Sequence, residues 1–453
     1  MRSLRINTYG CHGIVGDSLS PMFAIRYGNA VGSYFGTGPV VVAGDPRAST
    51  PMLRSALVSG LISCGTRVVD LGVCTMPVAQ HNIRANPQFC GGIYISGSYS
   101  PAEWNGFTVF GQNGTVLPAY EGTELLDIFH SRQFVRCDWS HLGTLEKGTP
   151  QIDSFIGTLL KQIDADAIRK RRPLVVVDSC NGAAPGMISR LADELGFRLI
   201  PLNHVPDGNF PHDPEPRPRN SRQASSILTG LNADIGFCLN SNGTCAAIIT
   251  ENGETISEEF TFPLVADHIL AKHPGSTIVT NLCTSRMIDD VAARHGAVLS
   301  KTMTVGQASI SETMASEGAI LGGEGNGYVA YAPVSLFYDV AVSIALILES
   351  LALRSCTSSQ LVQQLPARYH LVKRLIPVAA TKQYAVIDRL RQAFATEDHV
   401  SSAEGLRIEW VDGWLHIRAS SSRPVLQLIC ECRVREKAEE RADLILQHIH
   451  RVL

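Results

Sequence analysis

A loop of small hydroxyl residues, with Ser98 at its centre, follows an apolar, strand-like segment at residues 93–95. Pro101 and the pair Asn105-Gly106 come soon after it, and both favour turns. Such a loop can hold one hydroxyl out into a cleft, where a serine oxygen can take part in phosphoryl chemistry. An ordinary turn at the end of a strand would use the same residue types, and the loop alone favours that simpler interpretation.

Two later segments carry side chains suited to a polar, charged ligand. Glycines surround Glu324 in residues 322–327, so the backbone can approach a ligand closely while the carboxylate accepts sugar hydroxyls. Arg418 precedes three serines at residues 420–422, and this combination offers charged and neutral donors to a phosphate group. Taken alone, the segment around Glu324 is better explained as a polar hairpin turn, and the segment after Arg418 could equally be a surface turn. Neither therefore establishes a binding site by itself.

The elements that must position these residues come from an internal repeat. Each copy reads as a strand, a polar loop, a helix closed by glycine and a second strand. The first strands of the three copies are at residues 40–42, 174–177 and 277–280. Strands that alternate with helices at this spacing indicate parallel crossovers, so the repeat predicts three similar α/β domains.

The C-terminal part does not follow the repeat. It reads as a strand from residue 369, an amphipathic helix, a hairpin that turns over Asp412-Gly413, another strand and a closing helix. The sequence therefore predicts the α/β class, with three similar mixed α/β domains and a smaller C-terminal α+β domain. The predicted boundaries place domain I at 1–150, domain II at 151–252, domain III at 253–367 and domain IV at 368–453.

Length and charge limit the classes of function. A chain of 453 residues exceeds what one core supports, as expected for several domains. The net charge of -3 provides no basic field for nucleic acid and no basic patch for a membrane surface. No apolar run is long enough for a membrane span. Twelve scattered cysteines without CxxC spacing indicate reduced thiols, so we expect a cytoplasmic protein.

Read in order, short motifs along nearly the whole chain resemble those of the α-D-phosphohexomutases, the family of phosphoglucomutase, phosphomannomutase and phosphoglucosamine mutase. The loop around Ser98 is similar to the family's phosphoserine loop, usually Thr-Ala-Ser-His-Asn-Pro, with Tyr99 and Ser100 in place of the His and Asn. Residues 206–211 match the family's Pro-Asp-Gly-x-Phe-Pro. The other similar segments are residues 9–16, 44–52, 322–327 and 418–424.

The resemblance implies four domains around a central cleft and a role for each motif. Ser98 would be the catalytic serine that carries the phosphoryl group, and a hexose or hexosamine phosphate would be the small-molecule partner. The implied substrate-binding residues are Arg47, Glu324, Asn326, Arg418, Ser420 and Ser422. The family interconverts 1-phosphates and 6-phosphates through a phosphoserine and a bisphosphate intermediate, with Mg²⁺ and a glucose-1,6-bisphosphate-type activator. The resemblance leaves both a monomer and a homodimer open.

The magnesium loop of the family is where this sequence departs most. The family's Asp-Gly-Asp-x-Asp-Arg is replaced by Asn240-Ser241-Asn242-Gly243-Thr244-Cys245. The metal ligands that the resemblance implies are therefore Ser98, Asn240, Asn242 and Thr244, with no carboxylate among them. Magnesium holds its water tightly and usually needs at least one carboxylate, and the loss of three charges should remove several kcal/mol of attraction. We expect magnesium to bind weakly or not at all.

Other catalytic positions of the family also differ. The departures from the family's pattern are Val15, Thr108, Tyr328, Arg423 and Gln427. Thr108 stands where bacterial members carry a catalytic lysine, and a threonine cannot serve as a general acid or base. The groups that could replace it are Asp17, Asp45, His12 and Tyr328, and the sequence does not select among them.

Two hypotheses for the function follow, and both use the same cleft. In the first, the chain is an active phosphohexomutase, an isomerase that works by intramolecular phosphotransfer on a hexose or hexosamine phosphate. In the second, it is a catalytically inactive relative that binds phosphosugars or a partner protein. A weaker third idea is an altered phosphotransfer that uses Ser98 without a tightly bound metal. The retained Ser98, Glu324 and Arg418 favour ligand binding, whereas the lost aspartates favour impaired catalysis.

Overall fold

The computed structural model describes residues 4–366, 369–395, 399–402, 404–420 and 424–452, and its strands form four sheets. One sheet belongs to each of three similar units, and the fourth belongs to a C-terminal unit. Within these ranges, no helix has the length and apolar character needed to cross a membrane. The domain boundary predicted between residues 367 and 368 falls outside the described residues.

The N-terminal unit is a seven-stranded mixed sheet with helices packed against it. Its strands are β1 (Arg5–Asn7), β2 (Gly10–Ile14), β3 (Val40–Gly44), β4 (Val68–Val73), β5 (Gly91–Ile95), β6 (Trp104–Gly111) and β7 (Leu145–Lys147). Its helices are α1 (Pro21–Phe35), α2 (Thr50–Ser63), α3 (Met76–Ala85) and α4 (Ala119–Ser131). The strand order is β1-β2-β6-β5-β3-β4-β7, and β3 pairs in parallel with β4 and β5. Every residue of β3 is buried, as expected for a central parallel strand.

The second and third units repeat the centre of this sheet. The second contains α5 (Ile152–Leu160), α6 (Ala165–Arg171), β8 (Leu174–Asp178), α7 (Pro185–Leu195), β9 (Arg198–Leu202), α8 (Arg222–Leu231), β10 (Ile235–Leu239) and β11 (Ala246–Thr250). The third contains α9 (Thr261–Lys272), β12 (Thr277–Asn281), α10 (Met287–Arg294), β13 (Val298–Thr302), α11 (Gln307–Glu317), β14 (Leu321–Glu324), β15 (Tyr328–Tyr331), α12 (Val340–Arg354) and α13 (Ser358–Gln363). Their strand orders are β9-β8-β10-β11 and β13-β12-β14-β15.

The three units share one four-stranded core, which confirms the repeat read from the sequence. The orders of the second and third sheets match β4-β3-β5-β6 of the first. In each case three strands are parallel and the fourth is antiparallel to its neighbour. The predicted first strands at residues 40–42, 174–177 and 277–280 are β3, β8 and β12. The predicted α/β class and the three similar domains are therefore confirmed.

The C-terminal unit is an antiparallel sheet with two helices. Its elements are β16 (His370–Pro377), α14 (Gln383–Ala393), β17 (Val400–Ser401), β18 (Leu406–Trp410), β19 (Gly413–Ala419), β20 (Val425–Cys432) and α15 (Arg435–Val452), and the strand order is β16-β20-β19-β18-β17. The hairpin turn predicted at Asp412-Gly413 is wrong by one residue, because Trp410 pairs with Gly413. Gly413 suits the first position of β19, since a Cβ there would lie 2.0 Å from the carbonyl oxygen of Glu431.

Helix α12 joins the second and third units. Its residues 340–351 are buried, and it contacts α6, α7 and α9. Within it, the carboxylate of Glu349 accepts hydrogen bonds from His268 Nε2, Lys272 Nζ and the backbone N–H of Asp164, each at 2.6 Å. Burial alone would raise the pKa of Glu349, but these hydrogen bonds lower it to about 2. One buried carboxylate therefore holds the second unit against the third.

Candidate functional site

One loop from each of the three similar units reaches a common cleft. In each unit this loop joins the third and fourth strands of the shared core, at residues 96–103, 240–245 and 325–327. Strand β19 of the C-terminal unit adds Arg418. The cleft is lined from all four units, by residues that include Tyr99, Arg217, Cys245, Glu324, Asn326, Lys373 and Arg418. The repeat in the sequence thus positions three loops at equivalent places.

Ser98 stands at the tip of the first loop and is half-buried. Its φ of 51° lies in the left-handed region, which a residue other than glycine adopts only when its surroundings hold it there. Its backbone N–H donates to Ser96 Oγ at 2.7 Å. The preceding Gly97 permits a close approach, since a Cβ there would lie 2.5 Å from the Trp104 carbonyl oxygen and 2.8 Å from Arg47 Cζ. The serine is therefore presented by a preformed loop.

Arg47 supports this loop from beneath. Its side chain is buried, and its Nε pairs with Asp45 Oδ2 at 3.1 Å. Its terminal nitrogens donate, at 2.6–3.1 Å, to the carbonyl oxygens of Ser98, Ser100, Pro101 and Trp104. The ring of Phe210 covers the guanidinium, with 4.8 Å between Cζ and the ring centroid. A guanidinium has five N–H donors, and these five hydrogen bonds use all of them.

The segment at residues 206–211 joins the second unit to the first. Besides Phe210, it contributes Gly208, where a Cβ would lie 2.1 Å from the carbonyl oxygen of Pro46. The next residue, His212, places Nε2 3.0 Å from Asp178 Oδ2 at the end of β8. Burial alone would lower the pKa of His212, but the hydrogen bond to Asp178 helps to raise it to about 11. The contact of the half-buried His212 with the fully buried Asp178 thus anchors the segment that covers Arg47.

The loop at residues 240–245 closes around one side-chain amide. Asn240 Nδ2 lies 2.6 Å from Asn242 Oδ1, 2.9 Å from Thr244 Oγ1 and 3.3 Å from Ser98 Oγ. Asn240 Oδ1 accepts the backbone N–H groups of Thr244 and Cys245, at 2.9 and 3.2 Å. These two N–H groups identify the oxygen end of the amide, so its NH₂ end faces the three oxygens. Asn240, Asn242 and Thr244 are all buried.

The residues at the family's metal positions do not fit a magnesium ion. Such an ion needs oxygen ligands, usually with carboxylates among them. The space between the oxygens of Ser98, Asn242 and Thr244 is instead approached by the NH₂ group of Asn240, whose positive hydrogen atoms would repel a cation. Within the part of the chain that the structure describes, no group of three or more His, Cys, Asp or Glu side chains is arranged to hold a metal.

Glu324 is held in a fixed orientation at the wall of the cleft. It is only 4% exposed, and its Oε1 accepts hydrogen bonds from Asn281 Nδ2 and from the backbone N–H of Gly306, both at 2.8 Å. Burial raises the pKa of this carboxyl, although both hydrogen bonds act in the opposite direction. Asn326 follows in the same loop and is half-buried. A carboxylate and an amide at this place can exchange hydrogen bonds with sugar hydroxyls.

Sequence reasoning missed Lys373, which reaches this loop from β16. Its Nζ lies 2.7 Å from one carboxylate oxygen of Glu258 and 2.7 Å from one of Glu259. It also lies 3.3 Å from the Gly325 carbonyl oxygen and 3.4 Å from Asn326 Oδ1. Burial raises the pKa of Glu259 to about 7, whereas the two carboxylates raise the pKa of Lys373 against the effect of burial. In the sequence, Lys373 is only one lysine in a predicted strand, and its position there does not identify the distant residues that it contacts.

Arg418 lines the cleft, and its side chain is 16% exposed. Its ion-pair partner among the described residues is Glu404, with 3.9 Å between Nη1 and Oε2, and its Nε has no hydrogen-bond partner within the same ranges. Ser420 is buried just beyond the end of β19, and its backbone N–H donates to Val425. The predicted phosphate-binding residue Ser422 and the substituted position Arg423 lie outside the described residues.

Of the groups considered as a general acid or base, Tyr328 contacts the Ser98 side chain. Its ring stacks on Tyr338, with 4.7 Å between the centroids. Burial raises the pKa of Tyr328 well above the ordinary phenol value, so its hydroxyl stays protonated. Asp45 is fully buried and receives hydrogen bonds from Arg47, while His12 stacks on Trp104 at 5.0 Å. Tyr328 keeps its proton and Asp45 is bound to Arg47, so neither residue is placed as a free base for the Ser98 hydroxyl.

Comparisons with known proteins point to one family. The descriptions "Phosphoglucomutase/phosphomannomutase, alpha/beta/alpha domain" I, II and III match residues 3–136, 153–253 and 258–369. A phosphoglucomutase/phosphomannomutase of Thermococcus kodakarensis is 33% identical, with 98% of both chains covered. A probable phosphoglucosamine mutase of Pyrococcus abyssi is 29% identical, with 97% of both covered. The crystal structure of a phosphoglucomutase/phosphomannomutase family protein from Burkholderia thailandensis superposes with a TM-score of 0.82, at 27% identity over 96% of both chains.

Proposed function

The chain belongs to the phosphoglucomutase/phosphomannomutase family, the α-D-phosphohexomutases, and we propose that it binds a hexose or hexosamine phosphate in the cleft between its four units. The observation that carries this proposal is the convergence of Glu324, Asn326 and Arg418 on that cleft. A carboxylate and an amide suit sugar hydroxyls, and an arginine suits phosphate. Both ends of a sugar phosphate therefore meet groups of matching chemistry.

Arg418 is the residue that we assign to the phosphate. Its Nε is buried without a hydrogen-bond partner among the described residues, and its contact with Glu404 is long. A phosphate oxygen would satisfy this donor with a charge-assisted hydrogen bond. Ser420 and Ser422 belong to the same segment and would add neutral donors. Glu324 would receive two sugar hydroxyls, since its orientation is set in advance by Asn281.

Arg47 has a positioning role in this proposal and does not contact the ligand. All its donors are engaged by Asp45 and by carbonyl oxygens of the Ser98 loop. A ligand would have to break one of these buried bonds to gain a contact, which costs about as much as the new bond contributes. The sequence motif around Arg47 is therefore explained by the shape of the loop.

The family's phosphoryl exchange is impaired in this proposal. A phosphoryl group in transfer carries negative charge on its oxygens, and catalysis depends mainly on positive charge placed around it. Ser98 is retained, but the side chains that touch it, Asn240 and Tyr328, are neutral. Neither Mg²⁺ nor a glucose-1,6-bisphosphate-type activator should restore rapid transfer, because the loop supplies no carboxylate to hold the metal.

Titration calorimetry tests the binding directly. Glucose, mannose and glucosamine phosphates, each as the 1- and 6-phosphate, are titrated into the full chain, and at least one should bind. Arg418→Ala should weaken that ligand by about 1.5–3 kcal/mol, the usual contribution of a hydrogen bond to a charged group. Arg222→Ala, which removes an exposed arginine of α8, is the matched control and should leave affinity unchanged.

Two results would contradict parts of the proposal separately. If none of the six sugar phosphates binds at millimolar concentration, the phosphosugar assignment fails, and a partner-binding role becomes the better account. If the wild-type chain interconverts any pair rapidly, and Ser98→Ala abolishes that turnover, the impaired-transfer part fails while the binding part stands.

A further inference from the structure

The loop at residues 240–245 has lost the family's metal ligands, yet its polar side chains are not orphaned. A drifted site that had merely lost its carboxylates would leave buried donors and acceptors without partners, and each would cost free energy. Here the side-chain nitrogen and oxygen atoms of Asn240, Asn242 and Thr244 all have hydrogen-bond partners. This loop therefore has a complete set of hydrogen bonds in place of metal ligands, and not a set of unpartnered polar atoms.

The bonds within the loop form a closed cycle. Asn240 Nδ2 donates to Asn242 Oδ1 and to Thr244 Oγ1, and the Thr244 hydroxyl donates in turn to Asn242 Oδ1 at 2.8 Å. Ser98 Oγ, 3.3 Å from the same nitrogen, is the third oxygen in reach. A nitrogen with two hydrogen atoms thus stands among three oxygens, which is the relation that a cation has to its ligands.

The same loop is also attached to the first unit by direct hydrogen bonds, which do not involve a metal position. Ser241, where the family has glycine, places Oγ 2.8 Å from Asp45 Oδ2 and 2.6 Å from the Ser98 carbonyl oxygen. The backbone carbonyl of Asn242 accepts the N–H of Met76 at 2.9 Å. The side chains of Ser241 and Asn242 are both buried. The substitutions therefore support one another in a single arrangement.

We propose that the Asn240 carboxamide is a permanent, built-in substitute for the cation, which holds Asn242, Thr244 and Ser98 together so that the loop needs no divalent ion. This proposal does not depend on which ligand the cleft takes. The amide reproduces the gathering of oxygens but brings no net charge, and it cannot dissociate. Three carboxylates at the same positions would repel one another without a metal, whereas the amide network is complete in the bare chain.

Thermal unfolding of the full chain tests the proposal with metal as the probe. The melting temperature of the wild type is measured in EDTA, in MgCl₂ and in MnCl₂, with NaCl at matched ionic strength. It should be the same in all four. A variant with Asn240→Asp, Asn242→Asp and Thr244→Asp should melt lower than the wild type in EDTA, and MgCl₂ should raise its melting temperature where NaCl does not.

A single variant covers the case in which the triple variant fails to fold. Asn240→Ala removes the amide and should lower the melting temperature clearly, with no rescue by MgCl₂. Asn113→Ala is the matched control, because Asn113 also accepts two hydrogen bonds but is exposed, and it should cause a smaller loss.

Either of two results would overturn the proposal. One is a wild-type melting temperature that rises with MgCl₂ but not with NaCl. The other is an Asn240→Ala variant that melts at the wild-type temperature. Neither measurement uses a sugar phosphate, so failure here leaves the proposed sugar-phosphate binding untouched, although a magnesium-stabilised wild type would remove the reason given for impaired transfer. Failure of the calorimetry leaves this inference untouched.

Discussion

Lys373 of the C-terminal unit contacts the loop that follows Glu324. Its ammonium group lies between two carboxylates and two loop oxygens, and its side chain is only 15% exposed. Burial raises the pKa of Glu259 to about 7, so this carboxyl is partly protonated near neutral pH, while Lys373 also pairs with Glu258. Arg418 lines the same cleft with positive charge.

Replacing Lys373 with methionine should destabilise the protein strongly. The variant leaves Glu258 and Glu259 buried without their cation, and loss of one partner of a buried ion pair typically costs about 3–5 kcal/mol. Chemical denaturation at pH 7 measures this loss. The deficit should shrink as the pH is lowered, because protonation removes the unpaired charge from the glutamates.

Lys373→Arg is the control for this prediction. It keeps the positive charge and should recover most of the lost stability. A methionine variant as stable as the wild type would show that the cluster contributes little to the fold.

The residues of the site were predictable to different degrees. Ser98, Glu324 and Arg418 stand in short motifs that are weak alone but specific in their order along the chain, and the structure brings Glu324 and Arg418 to one cleft. The positions of the lost aspartates were also readable, but the direction of the Asn240 amide was not, because it depends on backbone N–H groups of the folded turn. Lys373 was not predicted because its two carboxylate partners, Glu258 and Glu259, lie more than a hundred residues away in the chain.

At the scale of the loop and its flanking strands, Gly97 decides whether the Ser98 loop can lie on Arg47. The strands before and after it, β5 and β6, are paired up to Ile95 and Phe107, so the loop between them has little freedom to move aside. A side chain at Gly97 would meet backbone and guanidinium atoms that are themselves fixed. The loop therefore requires a residue without Cβ at this position.

Gly97→Ala should destabilise the chain by about 1–3 kcal/mol, the usual cost of forcing an extra group into a packed site. It should also weaken any ligand that contacts the Ser98 loop. Denaturant unfolding and calorimetry measure the two effects. Gly157→Ala is the control, because Gly157 lies inside helix α5 with open space around its Cβ position, and it should stabilise the chain by up to about 1 kcal/mol. Equal effects of the two substitutions would show that crowding at Gly97 is unimportant.

The strands and helices of the core were predictable because their patterns are local. The apolar runs of β3, β8 and β12 are buried almost throughout, and such runs followed by loop and helix signals fix a crossover unit. The hairpin at residues 411–412 was placed one residue late because Asp-Gly is a common turn pair. In the fold, Gly413 is the first residue of β19 and lies close to the backbone of Glu431 on β20, and a local window of sequence does not show that contact.

At the scale of the whole molecule, the second and third units behave as one packed body around α12. Their buried apolar residues belong to a common core that also reaches α3 of the first unit. Glu349 sits inside this core and is satisfied by groups from both units. Because the ionised carboxylate of Glu349 binds groups from both units, the stability of the contact between the second and third units should depend on pH.

Acid should weaken the protein through Glu349. The pKa of this carboxyl falls from 4.5 in the unfolded chain to about 2 in the folded chain. Its contribution is therefore fully present above pH 4.5 and is lost as the pH falls towards 2, by at most about 3 kcal/mol. Unfolding free energies measured across this range test the prediction.

Two variants complete this experiment. Glu349→Gln should be less stable at pH 7 and should lack this part of the acid dependence. Glu124→Gln, which changes an exposed glutamate of α4, should follow the wild-type curve. A Glu349→Gln variant with an unchanged acid limb would refute the assignment.

The equivalence of the three loops has a consequence for how such a molecule can change by inheritance. Each loop begins where a pair of strands in its unit ends. The register of the sheet therefore does not constrain the amino-acid sequence of the loop. The shared four-stranded core thus presents three equivalent loops, and at or directly beside them this chain carries the Ser98 hydroxyl, the Asn240 amide and the Glu324 carboxylate. Selection can change the residues of one loop while the other two loops, and the strands that carry them, stay as they are. The amide network at residues 240–245, which we propose takes the place of a metal ion, would be a change of this kind, confined to six residues of the chain.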